Sequence, residues 1–161
     1  MINQANKRAN MHKKVLFVCL GNICRSPTAQ VVFEKTIAVK NLPVDCDSAG
    51  TAAYHIGKAP DKRSIAAAKK RSVDLTSLRA RQAITDDFYE FDYIFAMDKN
   101  NFNDLKDIEP QGAKAQLHLY LEAVDCIQNE MPDPYYGEQN GFETVLDLCE
   151  QASEYWIKRI I

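Results

Sequence analysis

The order of apolar and polar positions divides the chain into alternating strands and helices. The apolar run at residues 15–18 is typical of a strand buried on both faces of a parallel sheet. After it, Ser26 is a good N-cap, Pro27 is a good first helical residue, and apolar residues at helical spacing predict a helix over 27–40. Further strands are predicted over residues 43–48, 91–97 and 116–121, and further helices over 61–71, 98–105 and from 141 onward. This alternation predicts a single α/β domain with a parallel sheet of about four strands and helices on both faces.

Composition and charge narrow the class of protein. A chain of 161 residues that is 46% hydrophobic is long enough for one domain with a substantial core. The net charge of -2 argues against a general nucleic-acid binder, and no apolar run approaches the roughly 18 residues of a membrane span. Residues 1–12 are polar and basic with no apolar segment behind them, which argues against a secretory signal. We therefore expect a flexible tail at 1–12 and a folded domain over 13–161, with no nucleic-acid or membrane partner.

The cysteines and histidines bear on the redox compartment of the protein and on whether it binds a metal. The five cysteines are odd in number, and their spacing suggests no disulfide framework in a chain of this size. A reducing, cytoplasmic location is expected for that reason. The three histidines are scattered and form no metal-ligand pattern with the cysteines, so neither a metal nor another cofactor is expected.

The segment CLGNICR places a thiol where a buried strand ends and a helix is about to begin. Cys19 ends the first strand, and ligands of open parallel sheets bind beyond such carboxyl ends. If the intervening residues curl into a loop, their N–H groups can point inward, the helix N-terminus adds positive charge, and Arg25 supplies a planar fork. Such a cradle fits a tetrahedral oxyanion and favours the thiolate of Cys19, the nucleophilic form. The plainer interpretation is a buried cysteine followed by an ordinary turn.

The residues inside this loop suit a tight phosphate-binding turn between strand 1 and helix 1. Gly21 permits the turn, Asn22 tolerates a left-handed backbone, and the Ser26 hydroxyl can donate to the sulfur. The remaining members of the predicted phosphate-binding loop are Leu20, Ile23 and Cys24.

A second segment, MPDPYYG, offers a proton donor. When a thiolate attacks a phosphate ester, the leaving group needs such a donor. Asp133 lies between two prolines, and one carboxyl can protonate a leaving group and then deprotonate a water. Tyr135 and Tyr136 can form an aromatic wall for an aromatic substrate. An Asp-Pro turn with two surface tyrosines is an equally open interpretation of this segment alone.

Taken together, CLGNICRSP and DPYYG resemble the low-molecular-weight protein tyrosine phosphatases. The resemblance also covers DSAGT at 47–51, ARQ at 80–82 and AMD at 96–98, and it extends from about Lys13 to the end of the chain. It implies a single α/β domain with a four-stranded parallel sheet. It also implies hydrolysis in two steps through a phosphocysteine, without a metal.

The resemblance assigns roles to the chemical residues. It implies that Cys19 is the nucleophile, that Arg25 holds the phosphate, and that Asp133 acts as general acid and then as general base. Asn22 and Ser26 match the residues that shape the loop and assist the thiolate.

Supporting residues follow from the same resemblance. Ser48 matches the serine that steadies the asparagine, and Cys24 matches a second loop cysteine that can trap an oxidised nucleophile as a reversible disulfide. Tyr135 and Tyr136 match the aromatic wall, and Tyr54 is placed where many members carry another aromatic residue. His55 stands beside it.

One departure concerns tuning of the loop. Many members have a histidine where this chain has Leu78, and that histidine belongs to the network that supports the asparagine. Its loss affects the expected tuning of Cys19 and leaves the chemistry in place.

Three functions remain open on these grounds. A phosphatase acting on a phosphotyrosine protein or a small aryl phosphate is favoured over a phosphoarginine phosphatase, because related chains that prefer phosphoarginine tend to have Thr where this chain has Ile23. A thioredoxin-coupled arsenate reductase of the same fold needs two further cysteines near residues 75–85, where the chain has none. An inactive phosphate-binding module would have lost the nucleophile, arginine or acid.

The resemblance favours a monomer or a weak homodimer.

Overall fold

The computed structural model describes residues 12–124, 129–137 and 140–160. Strands and helices alternate along most of this length, as the apolar pattern predicts. In chain order they are β1 (Lys13–Cys19), α1 (Arg25–Lys40), β2 (Val44–Gly50), α2 (Lys62–Lys69), α3 (Asp87–Glu90), β3 (Tyr93–Ala96), α4 (Lys99–Ile108), β4 (Gln116–Leu119) and α5 (Asn140–Ile160).

The four strands form one parallel sheet in the order β2-β1-β3-β4. The registers pair Cys19 with Gly50 on one side of β1 and Val18 with Ala96 on the other. The carboxyl ends of these strands therefore meet at one edge of the sheet, with the end of the central strand β1 between its two neighbours. The predicted α/β fold with a four-stranded parallel sheet is confirmed.

Both faces of the sheet are buried, which explains the unbroken apolar run in β1. Phe17 faces a core that α1, α2 and α5 cover, whereas Leu16 and Val18 face a second core that includes Phe88 of α3 and Leu105 of α4. The side chains of β1 from Val15 to Val18 are fully buried. Helices on both faces are thus confirmed.

Helix α5 covers the first core with the apolar stripe that its sequence predicts. The buried positions include Phe142, Val145, Leu146, Cys149, Ala152, Trp156, Ile157 and Ile160. Trp156 packs its ring 4.6 Å from that of Phe95 in β3 and donates from Nε1 to the Tyr120 carbonyl at 2.8 Å. The stripe therefore fixes α5 against the sheet.

The predicted start of the first helix is wrong. Helix α1 begins at Arg25, its N-cap position is Cys24, and no side chain caps it. Ser26 lies within the first turn, where its hydroxyl hydrogen-bonds to groups of the loop before the helix. The phosphate loop therefore uses the hydroxyl that the sequence assigned to the cap.

Two other predictions concern segments at the limits of the described residues. Of the predicted tail at 1–12, only His12 is described, and its Nε2 lies 2.7 Å from Asp45 Oδ2. Residues 1–11 and Cys126 lie outside the described residues. Within the described ranges, no helix combines the length and apolarity that crossing a membrane requires.

Candidate active site

The loop between β1 and α1 wraps around the sulfur of Cys19. Asn22 adopts a left-handed backbone with φ 57°, which turns its own N–H toward that sulfur at 3.3 Å. The Ser26 hydroxyl lies 3.1 Å from the same sulfur. Cys19 is only 3% exposed, so these two polar contacts act in a site largely screened from water.

Asn22 anchors the loop through its side-chain amide. Its Nδ2 donates to Ser26 Oγ at 2.9 Å and to Ser48 Oγ at 3.0 Å, and its Oδ1 accepts from the Arg81 N–H at 3.1 Å. Ser48 therefore lies where the sequence predicts a loop support. In the part of the chain that the structure describes, these are the amide's hydrogen-bond partners, and Leu78 is not among them.

Gln30 extends this network beyond the sequence-based prediction. Ser48 Oγ donates to Gln30 Oε1 at 2.7 Å, and Gln30 Nε2 donates to Glu34 at 2.8 Å. Gln30 is 5% exposed and lies one helical turn after Ser26, on the same face of α1. The helical spacing of Ser26 and Gln30 is the sequence feature that could have identified Gln30 as part of the network.

Arg81 fixes the segment that supports Asn22 from behind. Its guanidinium donates to Asp47 at 3.1 Å and, through both terminal nitrogens, to Asp87 at 3.1 Å. Burial alone would lower the pKa of Arg81, but the two carboxylates outweigh it and raise the pKa above its ordinary value. The Arg81 N–H that Asn22 accepts is therefore held by a fixed ionic cluster. The sequence showed Arg81 only as part of the ARQ segment.

Arg25 is buried at the base of the site and holds three acceptors. Its Nη1 donates to Asp98 Oδ2 at 2.6 Å and to the Met131 carbonyl at 3.2 Å, and its Nη2 donates to Asp133 Oδ2 at 3.4 Å. Burial would lower the pKa of Arg25, but the Cys19 sulfur, followed by Asp98 and Asp133, raises it above its ordinary value. The guanidinium therefore stays charged beside the sulfur.

Asp98 is a site residue whose role the sequence did not reveal. It follows β3 at the same sheet edge as Cys19 and caps α4 by accepting from the Asn101 N–H at 2.7 Å. The cap was predictable, because the helix was expected to begin there. The ion pair with Arg25 depends on β1 and β3 being neighbours, which the sequence alone does not state.

Asp133 reaches the pocket from the segment before α5. Its Oδ1 accepts from the Tyr135 N–H at 3.1 Å while Oδ2 faces Arg25. The side chain is 35% exposed, so its carboxyl contacts both the buried guanidinium and solvent.

The pocket above the sulfur has a volume of about 270 Å³ and an aromatic rim. Tyr54, Tyr135 and Tyr136 all line it, as do Cys19, Arg25 and Asp133. His55 is a further lining residue, with its ring 6.4 Å from that of Tyr135. A Cβ on Gly21 would lie 2.8 Å from the His55 ring, so this glycine allows the close approach of ring and loop.

Cys24 also lines the pocket, as a protonated thiol. Burial, the largest effect, raises the pKa of Cys24 to about 12, so the thiol stays protonated at neutral pH. Cys19, Cys24, Cys46 and Cys149 are all unpaired. Within the described ranges, no three His, Cys, Asp or Glu side chains are grouped in a way that could hold a metal ion.

The fold and this site define a class of protein: a phosphate-ester hydrolase built on a parallel sheet, with cysteine and arginine in one anion-binding loop. The sequence model described as low molecular weight phosphotyrosine protein phosphatase matches residues 14–161. The chain belongs to that family, whose members are hydrolases.

Individual relatives agree with this assignment. The chain is 44% identical to the low molecular weight phosphotyrosine protein phosphatase of Schizosaccharomyces pombe over 151 residues, which is 91% of this chain and 96% of that protein. Among solved structures, it is similar to a protein tyrosine phosphatase from Entamoeba histolytica with Hepes in the active site. The identity is 41%, the TM-score is 0.86, and the match covers 91% of this chain and 96% of that one. The Drosophila arginine phosphatase DARP has a TM-score of 0.85 at 29% identity, with 91% and 96% coverage.

Proposed function

We propose that this phosphatase hydrolyses phosphotyrosine and aryl phosphates through a cysteinyl-phosphate intermediate. The observation that carries the proposal is the convergence of Cys19, Arg25 and Asp133 on one pocket, although Asp133 lies 108 residues from Arg25 in the chain. The three groups supply a nucleophile, a phosphate clamp and a proton carrier, the minimum set for this chemistry.

In the first step the Cys19 thiolate attacks phosphorus opposite the leaving oxygen. A sulfur–phosphorus bond forms as the phosphorus–oxygen bond breaks, and the departing phenolate takes the proton of Asp133. The Arg25 guanidinium and the loop N–H groups stabilise the charge on the equatorial oxygens.

In the second step water replaces the sulfur. Asp133, now a carboxylate, accepts a proton from a water whose oxygen attacks phosphorus, and the sulfur–phosphorus bond breaks. The thiolate that leaves is stabilised by the Ser26 hydroxyl at 3.1 Å and the Asn22 N–H at 3.3 Å. Orthophosphate is released and no metal takes part.

The aromatic rim supports an aryl substrate. Tyr135 and Tyr54 flank the pocket mouth with His55 between them, at ring separations of 6.4 and 6.5 Å from His55. A phosphotyrosine ring entering there stacks against these faces while its phosphate descends to Cys19. Tyr136, 90% exposed, is available to the protein that carries the phosphotyrosine.

The first experiment is hydrolysis of p-nitrophenyl phosphate from pH 4 to 8 in EDTA, with the wild type beside Cys19→Ser. We expect metal-independent release of nitrophenol that disappears in the variant while the fold persists. Phosphotyrosine peptides should then react and phosphoserine peptides should not. No release from a folded, reduced wild type contradicts the proposal, and arsenate reduction with thioredoxin is then the assay to run.

A phosphoarginine phosphatase is the second candidate, because the chain is similar in structure to an arginine phosphatase. Ile23 favours phosphotyrosine, since related phosphoarginine phosphatases tend to have Thr at this place. Comparison of kcat/KM for phosphotyrosine and phosphoarginine decides between them, and a higher value for phosphoarginine reverses the order.

Reversible oxidation of the nucleophile is a further part of the proposal. Peroxide oxidises the Cys19 thiolate to a sulfenic acid, and the Cys24 thiol condenses with it to form a disulfide and release water. The unpaired state of the four cysteines that the structure describes supports a reducing, cytoplasmic location. The condensation of Cys24 with oxidised Cys19 would make the enzyme redox-sensitive.

Cys24→Ser tests the redox proposal. We expect dithiothreitol to restore the peroxide-treated wild type and to restore much less of the variant, because no disulfide protects its sulfenic acid from further oxidation. The measurement is recovered activity against peroxide dose. Equal recovery of the two proteins means that Cys24 is not the protecting thiol.

A further inference from the structure

Arg63, near the start of α2, makes a set of contacts that the chemistry above does not use. Its Nε and one terminal nitrogen donate to the two carboxylate oxygens of Asp61, at 3.0 and 2.9 Å. That same terminal nitrogen donates to the Tyr135 carbonyl at 3.1 Å. The guanidinium lies over two rings, 5.4 Å from the centroid of Tyr135 and 4.8 Å from that of Phe142. Arg63 therefore joins α2 to the segment that carries Asp133 and to the start of α5.

Asp61 fixes this arginine relative to the phosphate loop. The Asp61 N–H donates to the Ile23 carbonyl at 2.8 Å, and the Asp61 carboxylate caps α2 by accepting from the Arg63 N–H at 2.8 Å. The hydrogen bonds from Arg63 lower the pKa of Asp61 below its ordinary value, so the pair is ionised at neutral pH. The guanidinium is thus held in place from the side of the loop.

At its other end the contact reaches the proposed general acid through one residue. The Tyr135 carbonyl accepts from Arg63, and the Tyr135 N–H donates to Asp133 Oδ1 at 3.1 Å. Asp133 Oδ2 in turn faces Arg25. A closed series of contacts therefore runs from the phosphate loop through Asp61, Arg63, Tyr135 and Asp133 back to the loop arginine.

We propose that Arg63 is a positioning residue that sets the Asp133 carboxyl and the Tyr135 ring over the phosphate loop. The proposal rests on the proposed function, since it assigns Arg63 an effect on proton transfer to the leaving group. Arg63 does not line the pocket above the sulfur. Its loss changes the steps that need Asp133 and leaves phosphate binding in place.

The test compares leaving groups in Arg63→Met, which keeps the aliphatic stem and removes the guanidinium. Nitrophenol leaves readily without a proton, whereas the phenol of phosphotyrosine needs one. We expect kcat/KM for phosphotyrosine to fall about 10-fold and that for p-nitrophenyl phosphate to fall much less. The inhibition constant of inorganic phosphate should stay within about twofold of wild type.

Two matched variants sharpen the result. Lys62→Met removes a cation at the adjacent, exposed position and should match wild type. Within the described ranges the Lys62 side chain makes no hydrogen bond or ion pair. Arg63→Lys keeps the charge without the fork and should recover part of the lost kcat/KM.

A double-mutant cycle separates positioning from a general loss of structure. Once Asp133→Ala has removed the proton donor, adding Arg63→Met should leave the ratio of the two kcat/KM values unchanged. Arg63→Met with both substrates within about twofold of wild type overturns the proposal. An equal loss of kcat/KM for both substrates together with weaker inhibition by phosphate also overturns it. The same holds if Arg63→Met changes the ratio of the two kcat/KM values as much in the Asp133→Ala background as in the wild type. A wild type that fails to hydrolyse phosphotyrosine instead contradicts the proposed function.

Discussion

Asp133 stands between a buried cation and solvent, and this position suits a group that must change protonation state twice in each turnover. One oxygen is oriented by the Tyr135 N–H and the other faces Arg25. With 35% of the side chain exposed, its proton can be replaced from water after each cycle. Cys19 and Arg25, by contrast, are each only 3% exposed.

Replacing this carboxyl tests the acid–base assignment. We expect Asp133→Ala to lower kcat/KM for phosphotyrosine about 10²- to 10⁴-fold, the range of general acid catalysis, while inorganic phosphate still inhibits. Asp133→Asn, which keeps an acceptor for the Tyr135 N–H, should lose as much because it has no transferable proton. Full activity of either variant toward a substrate with a poor leaving group contradicts the assignment.

Gln30 lies beyond Ser48 in the Asn22 network and can be tested separately from the chemistry. Gln30→Leu leaves the Ser48 hydroxyl without its acceptor, a loss that costs about 1–3 kcal/mol for a buried group. We expect a lower free energy of unfolding by urea and a lower kcat/KM, because Ser48 no longer holds Asn22.

Glu34→Gln provides the control for that prediction. It changes only the far contact of Gln30, whose Oε1 can still accept from Ser48, and it should retain more activity than Gln30→Leu. If the leucine variant matches wild type in both unfolding and kinetics, the hydrogen bond to Ser48 does not support the loop.

Local spacing revealed some site residues and concealed others. Cys19, Arg25, Asn22 and Ser26 belong to one short loop, so their grouping was visible in the sequence. Asp98 was not recognised as a partner of Arg25, because the contact spans 73 residues and exists only once β3 pairs with β1. The contact of Arg81 with Asn22 could not be recognised either. Its donor is a backbone N–H, and no pattern of side chains in the sequence indicates such a contact.

At the scale of elements, the end of β2 sets the space available to the phosphate loop. Gly50 lies opposite Cys19 in the sheet, and a Cβ added there would lie 2.7 Å from the Leu20 carbonyl oxygen and 3.1 Å from the Gly21 carbonyl carbon. Both atoms are backbone, so only a shift of the loop itself could relieve the contact. The absence of a side chain at Gly50, the last residue of β2, is therefore a condition for the position of the loop.

Gly50→Ala tests this close approach. We expect a loss of about 1–3 kcal/mol in the free energy of unfolding, typical of overpacking, and a clear fall in kcat/KM as the loop moves. Gly137→Ala is the matched control, since the nearest atom to its added Cβ is 3.8 Å away. Thermal unfolding and kinetics are measured on both, and identical results for the two variants contradict the prediction.

The strands and helices were predictable where burial imposes a clear pattern of apolar residues along the sequence. The continuous apolar run of β1 and the stripe of α5 each match a face that the structure buries. Ser26 misled the prediction of the helix start because its local preference for a cap was overridden by contacts with Cys19 and Asn22. Helix α3 spans four residues, which is too short for a helical period to emerge.

At the scale of the whole molecule, the cores bury several groups that can ionise at high pH. Burial, the largest effect in each case, raises the pKa of Cys24 to about 12 and raises those of Cys46, Cys149 and Tyr120 further from their ordinary values. The folded state therefore holds these protons more tightly than the unfolded chain does. The contribution of the thiols to the free energy of unfolding is fully present below pH 9, their ordinary pKa, and is lost as the pH rises toward 12.

The raised pKa values predict a measurable loss of stability at alkaline pH. We expect the urea-unfolding free energy to decline above pH 9, by about 1.4 kcal/mol per pH unit for each thiol that must stay protonated. Cys149→Ala removes one such group from a fully buried position and should make the decline shallower. A free energy of unfolding that is constant from pH 9 to 11, or a variant with the same slope as wild type, contradicts this account.

The order β2-β1-β3-β4 also has a consequence for the protein while it is being made. The central strand β1 leaves the ribosome first, yet both of its neighbours are synthesised later, and Asp133 emerges after all four strands. A nascent chain can thus carry the thiol and the arginine of the loop before the segment with Asp133 has been made. The complete pocket is assembled only after that segment has been synthesised and has folded against the loop.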